Sequence, residues 1–208
     1  MDGYIQLFSI IVLVFSVVIH EVSHGFTALL CGDQTAKNQG RLTLNPIKHI
    51  DLFGSIIVPL ILILLPGGLV LGWAKPVPYN PYNLKNRKWG EFWVAFAGPL
   101  SNIIIGLFFV LLIKFSSTLG LSSIFVQLSF MIVLINLTLA FFNLIPIPPL
   151  DGSKILISLL PFNIQDKFLF FMQRWGLILV LLFVFFLWTP LFNVLLNFIF
   201  WITGISIF

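Results

Sequence analysis

HEVSH, residues 20–24, is a polar stretch set inside the apolar run 5–30. An apolar run of this length is long enough to cross a bilayer as one helix. On a helix, side chains four positions apart share a face, so His20 and His24 can direct both imidazoles at one metal ion. Glu21 lies beside them and can reach a metal-bound water. The spacing is that of H-E-x-x-H zinc sites, which combine two ligands with a general base.

Ionisable side chains inside a membrane span are costly and usually have a partner or a function. The plainest alternative is that the two histidines only form hydrogen bonds to neighbouring helices. A second alternative is a metal or proton transporter that uses the same cluster as part of an ion path. Such a path needs polar groups through the whole membrane depth. The outer halves of these spans are almost entirely aliphatic or phenylalanine, which argues against it.

The composition indicates a polytopic membrane protein. Of the 208 residues, 9% are charged, against about 25% in soluble domains, and the mean hydropathy is +1.09. We therefore expect one integral-membrane domain over 1–208, with a catalytic core at about 5–155 and accessory helices at about 168–207. The net charge of +4 does not indicate nucleic-acid binding. Cys31 is the only cysteine, so no intrachain disulfide is possible.

The hydrophobic segments predict an all-α fold of five to six helical segments in the lipid bilayer. After the run 5–30 they lie at 92–113, 121–145, 168–187 and 191–207. The short break between the last two predicts an antiparallel pair.

The segment 52–71 is long enough to span but is interrupted by prolines and glycines. Basic loops precede and follow it, so we favour a re-entrant element over a full crossing. Alternating residues at 41–44 predict a short strand, and 72–82 is predicted to form a strand and turn beside it. A re-entrant or short β stretch is therefore expected between the first span and the span 92–113.

The basic residues indicate the orientation, because cytoplasmic loops are enriched in Lys and Arg. If the first span runs from outside to inside, the basic loop residues face the cytoplasm and only Lys114 lies outside. The loops 31–51, 72–91 and 146–167 are then cytoplasmic. The expected location is the cell membrane, with the histidine pair in the cytoplasmic half of the bilayer.

A catalytic zinc site needs three protein ligands and one open position. Asp151 is the leading candidate for the third ligand. Three prolines within 146–149 interrupt regular structure before it, and Gly152 after it permits an unusual backbone angle. His49, in a basic loop, is the leading rival. The alternative role for Asp151 is an ordinary Asp-Gly turn.

Six motifs together resemble the site-two protease family of intramembrane zinc metalloproteases. They occur in family order and are HExxHG at 20–25, GDxTA at 32–36, LNP at 44–46, GWAKPVP at 72–78, AGPLSN at 97–102 and NLxPxPxLDG at 143–152. The first and last motifs together are highly specific.

By that resemblance, His20, His24 and Asp151 hold one Zn²⁺ per chain and Glu21 is the catalytic base. The implied activity is a zinc-dependent endopeptidase that cuts peptide bonds within or next to transmembrane helices. Single-span membrane proteins are its expected partners. An inactive scaffold would be expected to have a broken motif, and here the expected ligands and base are all present.

Two asparagines also match the family. Asn143 matches the one that helps to hold the substrate carbonyl, and Asn102 matches a second one. The resemblance implies a minimal, bacterial-type member, because the sequence carries neither a PDZ nor a CBS domain. The predicted strands within 40–80 would either pair with an unwound substrate by strand addition or only fill space between spans.

Overall fold

The computed structural model describes residues 2–58, 60 and 72–205, and helices are the only regular secondary structure in these ranges. The α-helices are α1 (Asp2–Leu30), α2 (Thr35–Asn38), α3 (Arg87–Lys114), α4 (Ser123–Asn143), α5 (Asp151–Leu159), α6 (Phe162–Leu182) and α7 (Trp188–Thr203). Shorter 3-10 or π turns lie at Pro46–His49, Leu52–Ile57, Pro81–Asn83 and Phe183–Leu187.

Helix α3 is central to the fold and contacts α1, α4, α5 and α7. The side chain of Asn86 accepts a hydrogen bond from the Trp89 N–H and so caps the start of α3. The main apolar cluster lies where α3, α4 and α7 meet, around buried Val110, Val133 and Ile199. The outer faces of the long helices expose many large apolar side chains. Such faces suit contact with lipid.

Among the described residues, four helical segments, not five or six, are long and apolar enough to cross a membrane. They are Gly3–Leu30, Arg87–Lys114, Ser123–Asn143 and Asn163–Thr203. The predicted antiparallel pair 168–187 and 191–207 is wrong, because α6 continues through the π turn into α7. At about 1.5 Å per residue, this 41-residue segment is about 60 Å long, roughly twice the hydrocarbon thickness of a bilayer.

Pro190 does not break this last helix. A proline inside a helix clashes with the carbonyl four residues earlier. The wider π turn Phe183–Leu187 lies directly before α7, and local widening of this kind accommodates an interruption in the hydrogen-bond ladder. The carbonyl four residues before Pro190 belongs to Phe186, which lies inside this π turn.

The predicted short strands are not found either, since residues 41–44 and 72–80 are irregular. The N–H groups of the segment 72–80 bond to turns and side chains instead of to a partner strand. The Trp73 N–H donates to the Gly54 carbonyl at 3.0 Å, and the Lys75 N–H donates to the His49 carbonyl at 2.8 Å. Prolines at 76 and 78 lack a donor. This segment is therefore fixed to the protein without forming a sheet.

The re-entrant prediction for 52–71 can be followed only at its start. The Asp51 side chain accepts a hydrogen bond from the Gly54 N–H at 2.7 Å and caps the π turn Leu52–Ile57. Residues 59 and 61–71 lie outside the described residues, so the path of this segment stays a prediction.

Asp33 connects the end of α1 to the loop that precedes α3. Its carboxylate is fully buried and accepts hydrogen bonds from the Thr35 hydroxyl at 2.6 Å, the Asn80 N–H at 2.7 Å and the Asn83 amide at 2.9 Å. Burial on its own would raise the pKa of Asp33, but the hydrogen bonds from Thr35, Asn83 and Asn80 hold it below its usual value. The stabilisation is therefore present at neutral pH and is lost as the pH falls through the folded-state pKa.

We expect Asp33→Ala to lower the free energy of unfolding of the purified protein by about 2 kcal/mol, because three partly buried donors lose their acceptor. Thermal unfolding in detergent measures this. The matched control is Asp166→Ala, because Asp166 is exposed. Equal melting temperatures for Asp33→Ala and the wild type would contradict the assigned role.

Candidate metal centre

Helices α1 and α5 bring three potential metal ligands together. His20 and His24 lie one turn apart on α1, and Asp151 is the first residue of α5. One carboxylate oxygen of Asp151, Oδ2, lies 3.0 Å from His20 Nε2 and 3.1 Å from His24 Nε2. All three residues are at most 8% exposed. The two turns of α1 and the start of α5 thus direct three ligand atoms at one point.

The opposite nitrogen of each imidazole is held by an oxygen acceptor. His20 Nδ1 lies 2.6 Å from the Asn102 side-chain oxygen, and His24 Nδ1 lies 2.6 Å from the Val94 carbonyl. Both Nδ1 atoms therefore donate, and in the neutral imidazoles both Nε2 atoms carry a lone pair. In this form the two Nε2 lone pairs and the Asp151 carboxylate oxygen repel one another unless a cation lies between them. The donor set therefore fits a metal ion, with two imidazoles and one carboxylate.

A chain of buried amides fixes the Asn102 oxygen towards His20. The Asn102 amide donates to the Asn136 side-chain oxygen at 2.9 Å and to the Ser16 carbonyl at 3.3 Å. The Asn136 amide in turn donates to the Ile132 carbonyl at 2.9 Å. Asn102 and Asn136 are both fully buried. Each amide is therefore oriented by its neighbour, and the Asn102 oxygen in turn fixes the orientation of the His20 imidazole.

Sequence analysis did not identify Asn136 as part of the site. The available signal was an amide side chain in the middle of a mainly apolar span, which is typical of a hydrogen-bonded contact between helices. Its role depends on meeting Asn102, 34 residues away, and no local pattern predicts that contact.

We expect Asn136→Leu to weaken zinc affinity by about 10- to 100-fold, because loss of an outer partner frees the ligand's orientation. Competition with a zinc chelator measures the dissociation constant. Asn197→Leu is the matched control, because Asn197 is exposed on α7. An Asn136→Leu variant with wild-type zinc affinity would exclude a role for this amide chain in metal binding.

Two glycines allow the close packing that builds the site. At Gly98 on α3, a Cβ atom would collide with Nε2 of both His20 and His24. At Gly152, a Cβ atom would collide with the Leu144 carbonyl. Gly152 does not use the backbone freedom that glycine permits, because its φ is not positive. Its small size lets α5 start against the end of α4.

Glu21 lies beside the ligand set and has its own partner. Its ligand atom lies within 4.8 Å of those of His20 and His24, so by distance alone it could also bind a metal. Its Oε2 accepts a hydrogen bond from the Val77 N–H at 2.8 Å. Asp151 Oδ2 lies almost equally far from both Nε2 atoms, so two carboxylates lie close enough to the histidine pair to complete a metal site.

A cavity of about 40 Å³ opens at this cluster, and Glu21, His24, Asp151 and Lys154 line one part of it. The segment 72–80 forms another wall through Pro76, Val77 and Tyr79. A volume of this size holds a few water molecules. It is far too small for a helix.

Two residues singled out from sequence form hydrogen bonds outside the ligand set. Asn143 ends α4, and its amide donates to the Leu139 carbonyl at 3.0 Å. His49 is buried, and its Nε2 donates to the Thr43 carbonyl at 2.8 Å. Within the part of the chain that is described, His49 does not belong to the potential metal-binding group.

Comparison with known proteins gives a consistent result. The family model described as Peptidase family M50 matches residues 8–128 and 119–188. YwhC of Bacillus subtilis (strain 168), named "Putative zinc metalloprotease", is 40% identical over 164 residues, which are 76% of this chain and 71% of YwhC.

More distant relatives carry similar names. Rip2 of Mycolicibacterium smegmatis is 28% identical over 152 residues, 72% of this chain and 57% of Rip2. Zinc metalloprotease MJ0392 of Methanocaldococcus jannaschii is 29% identical over 150 residues, 72% of this chain and 33% of that protein. The chain thus spans about half or less of the length of some relatives. No solved structure matches. With its family model covering most of the described helices, the chain belongs to peptidase family M50, the site-two protease family that its motifs resemble.

Proposed function

We propose that this protein is a zinc-dependent endopeptidase that hydrolyses peptide bonds within or next to transmembrane helices. The observation that carries the proposal is the convergence of His20, His24 and Asp151 at the junction of apolar helices, with Glu21 beside them. Membership of a zinc metalloprotease family supports the metal and the reaction class. The depth of the cluster supports a site within the membrane.

His20, His24 and Asp151 would hold one zinc ion through the two Nε2 atoms and one carboxylate oxygen. Zinc in such a site supplies an activated water and polarises the scissile carbonyl. Glu21 would take the proton from the attacking water and pass it to the leaving amine. The Val77 N–H orients the Glu21 carboxylate for that transfer through its hydrogen bond to Oε2.

Asn143 stays a proposal based on the family resemblance. To hold the substrate carbonyl, its amide would have to leave the Leu139 carbonyl that it bonds in this structure. A neutral amide in that role would stabilise the developing oxyanion without adding a buried charge.

The substrate would be a transmembrane segment of another membrane protein, with single-span proteins as the simplest class. A helix must unwind before attack because its peptide groups are bonded internally. We propose that the protein lies in the cell membrane with the site in the cytoplasmic half of the bilayer. Basic residues follow the C-terminal end of α1, and loops rich in Lys and Arg face the cytoplasm.

The test is cleavage of a model transmembrane substrate by the purified protein in lipid nanodiscs. We expect one zinc per chain, cleavage that stops after a zinc chelator is added, and recovery when zinc is restored. A zinc-loaded protein that cleaves no membrane substrate but moves metal ions or protons across vesicles would overturn the proposal in favour of a transporter.

A further inference from the structure

Among the described residues that line the cavity beside the histidine pair, Lys154 is the only Lys or Arg. It lies three residues after Asp151 on α5, so both side chains project from the same face of that helix. The α5 helix packs against α3, which carries Gly98 and the Val94 carbonyl at the histidine pair. The fold therefore brings a lysine to the same cavity as the proposed base and metal ligands.

The two oxygens of Asp151 have different partners. Oδ2 faces the histidine nitrogens, whereas Oδ1 lies 3.4 Å from Lys154 Nζ. Lys154 is thus next to the ligand set without occupying the point where the ligand atoms converge. Its side chain is 45% exposed, so water can solvate the ammonium group and keep it charged when no substrate is bound.

The family resemblance assigns the substrate carbonyl to Asn143, but the Asn143 amide bonds within its own helix and does not line the cavity. Among the described residues that line the cavity, the side chains that carry a donor group are His24, Tyr79 and Lys154. We propose that Lys154 is a further catalytic residue, whose ammonium group donates to the scissile carbonyl oxygen as it becomes an oxyanion.

This inference rests on the proposed function, because it assigns a role in the same hydrolysis. Attack by water converts the carbonyl oxygen into an oxyanion and moves one proton from the water to Glu21. The C–N bond then breaks, the oxyanion collapses to a carboxyl group, and the amine leaves with that proton. Lys154 exchanges no proton and only stabilises the negative charge of the oxyanion. Such stabilisation is strongest where water is excluded.

The test compares Lys154→Met with Lys154→Arg in the full-length protein, with three readouts: zinc affinity, kcat and KM for a model substrate, and affinity for a phosphinic peptide. The tetrahedral phosphinate imitates the charged transition state. For Lys154→Met we expect wild-type zinc affinity and KM but a fall in kcat of about 100-fold. Phosphinate affinity should fall by a similar factor. Lys154→Arg should recover part of both losses.

Lys167→Met is the matched control, because Lys167 is exposed on α6 away from the cavity. If Lys154→Met keeps wild-type kcat and phosphinate affinity, the inference is overturned while the proposed function stands. If it instead loses zinc, Lys154 is a structural partner of Asp151 and the catalytic role is also overturned. A zinc-loaded wild type without cleavage would overturn the proposed function, and with it this inference.

Discussion

Asp151→Asn is expected to abolish cleavage and to weaken zinc retention by at least about 100-fold, more than the loss of an outer partner typically costs. The substitution preserves size and shape but removes the negative charge. Two imidazoles alone would leave the zinc under-ligated, with its charge uncompensated among apolar helices, where an isolated charge is costly. Zinc content and chelator competition on the purified, folded variant measure the effect.

Two control variants separate Asp151 from its rivals. His49→Ala and Asp51→Asn should retain their zinc, because His49 bonds to the Thr43 carbonyl and Asp51 caps a turn. If Asp151→Asn held zinc normally while His49→Ala lost it, the third ligand would be His49. The contact between α5 and the histidine pair would then be only a structural one.

Glu21→Gln is expected to retain zinc and to lower turnover by at least about 100-fold, which is the usual range for loss of a general base. Glutamine can still accept the hydrogen bond from the Val77 N–H, so the local structure should persist. Zinc analysis and single-turnover cleavage of a model substrate separate the two effects.

The Glu21 result also tests which carboxylate is the ligand. If Glu21→Gln lost its zinc as readily as Asp151→Asn, Glu21 would belong to the ligand set. Cleavage at the wild-type rate would instead mean that another group activates the water.

The histidine pair could be predicted from sequence because its geometry is local. His20 and His24 lie on one face of a single helix, so their spacing alone sets their separation. Asp151 could be identified for a different reason, since an acidic residue directly after a proline-interrupted apolar span has few other roles. Its convergence with the histidines, 131 and 127 residues away, follows from the need of a catalytic zinc site for a third ligand.

The contacts that orient the site could not be predicted in this way. Asn136, the Val94 carbonyl and the Val77 N–H reach the site only through packing between segments far apart in sequence. Two of the three groups belong to the backbone, so their residue type carries no information about the contact.

The errors in the fold arise where local patterns compete with packing. The break at Pro190 predicted two helices, but a π turn allows one continuous helix. The segment 72–80 has strand-like composition, yet its N–H groups bond to Glu21, Asp33 and turn carbonyls. The residues of 72–80 do not themselves indicate these acceptors, which lie elsewhere in the chain.

The most direct test of the central claim is cleavage of a model transmembrane helix in nanodiscs prepared in ¹⁸O-labelled water, followed by mass spectrometry of the fragments. The account predicts a cut inside or next to the apolar segment, with one ¹⁸O atom in the new carboxyl group. Zinc-depleted protein and Glu21→Gln should give little or none of this product. Intact substrate with zinc-loaded wild-type protein, or cuts confined to distant soluble flanks, would contradict the claim.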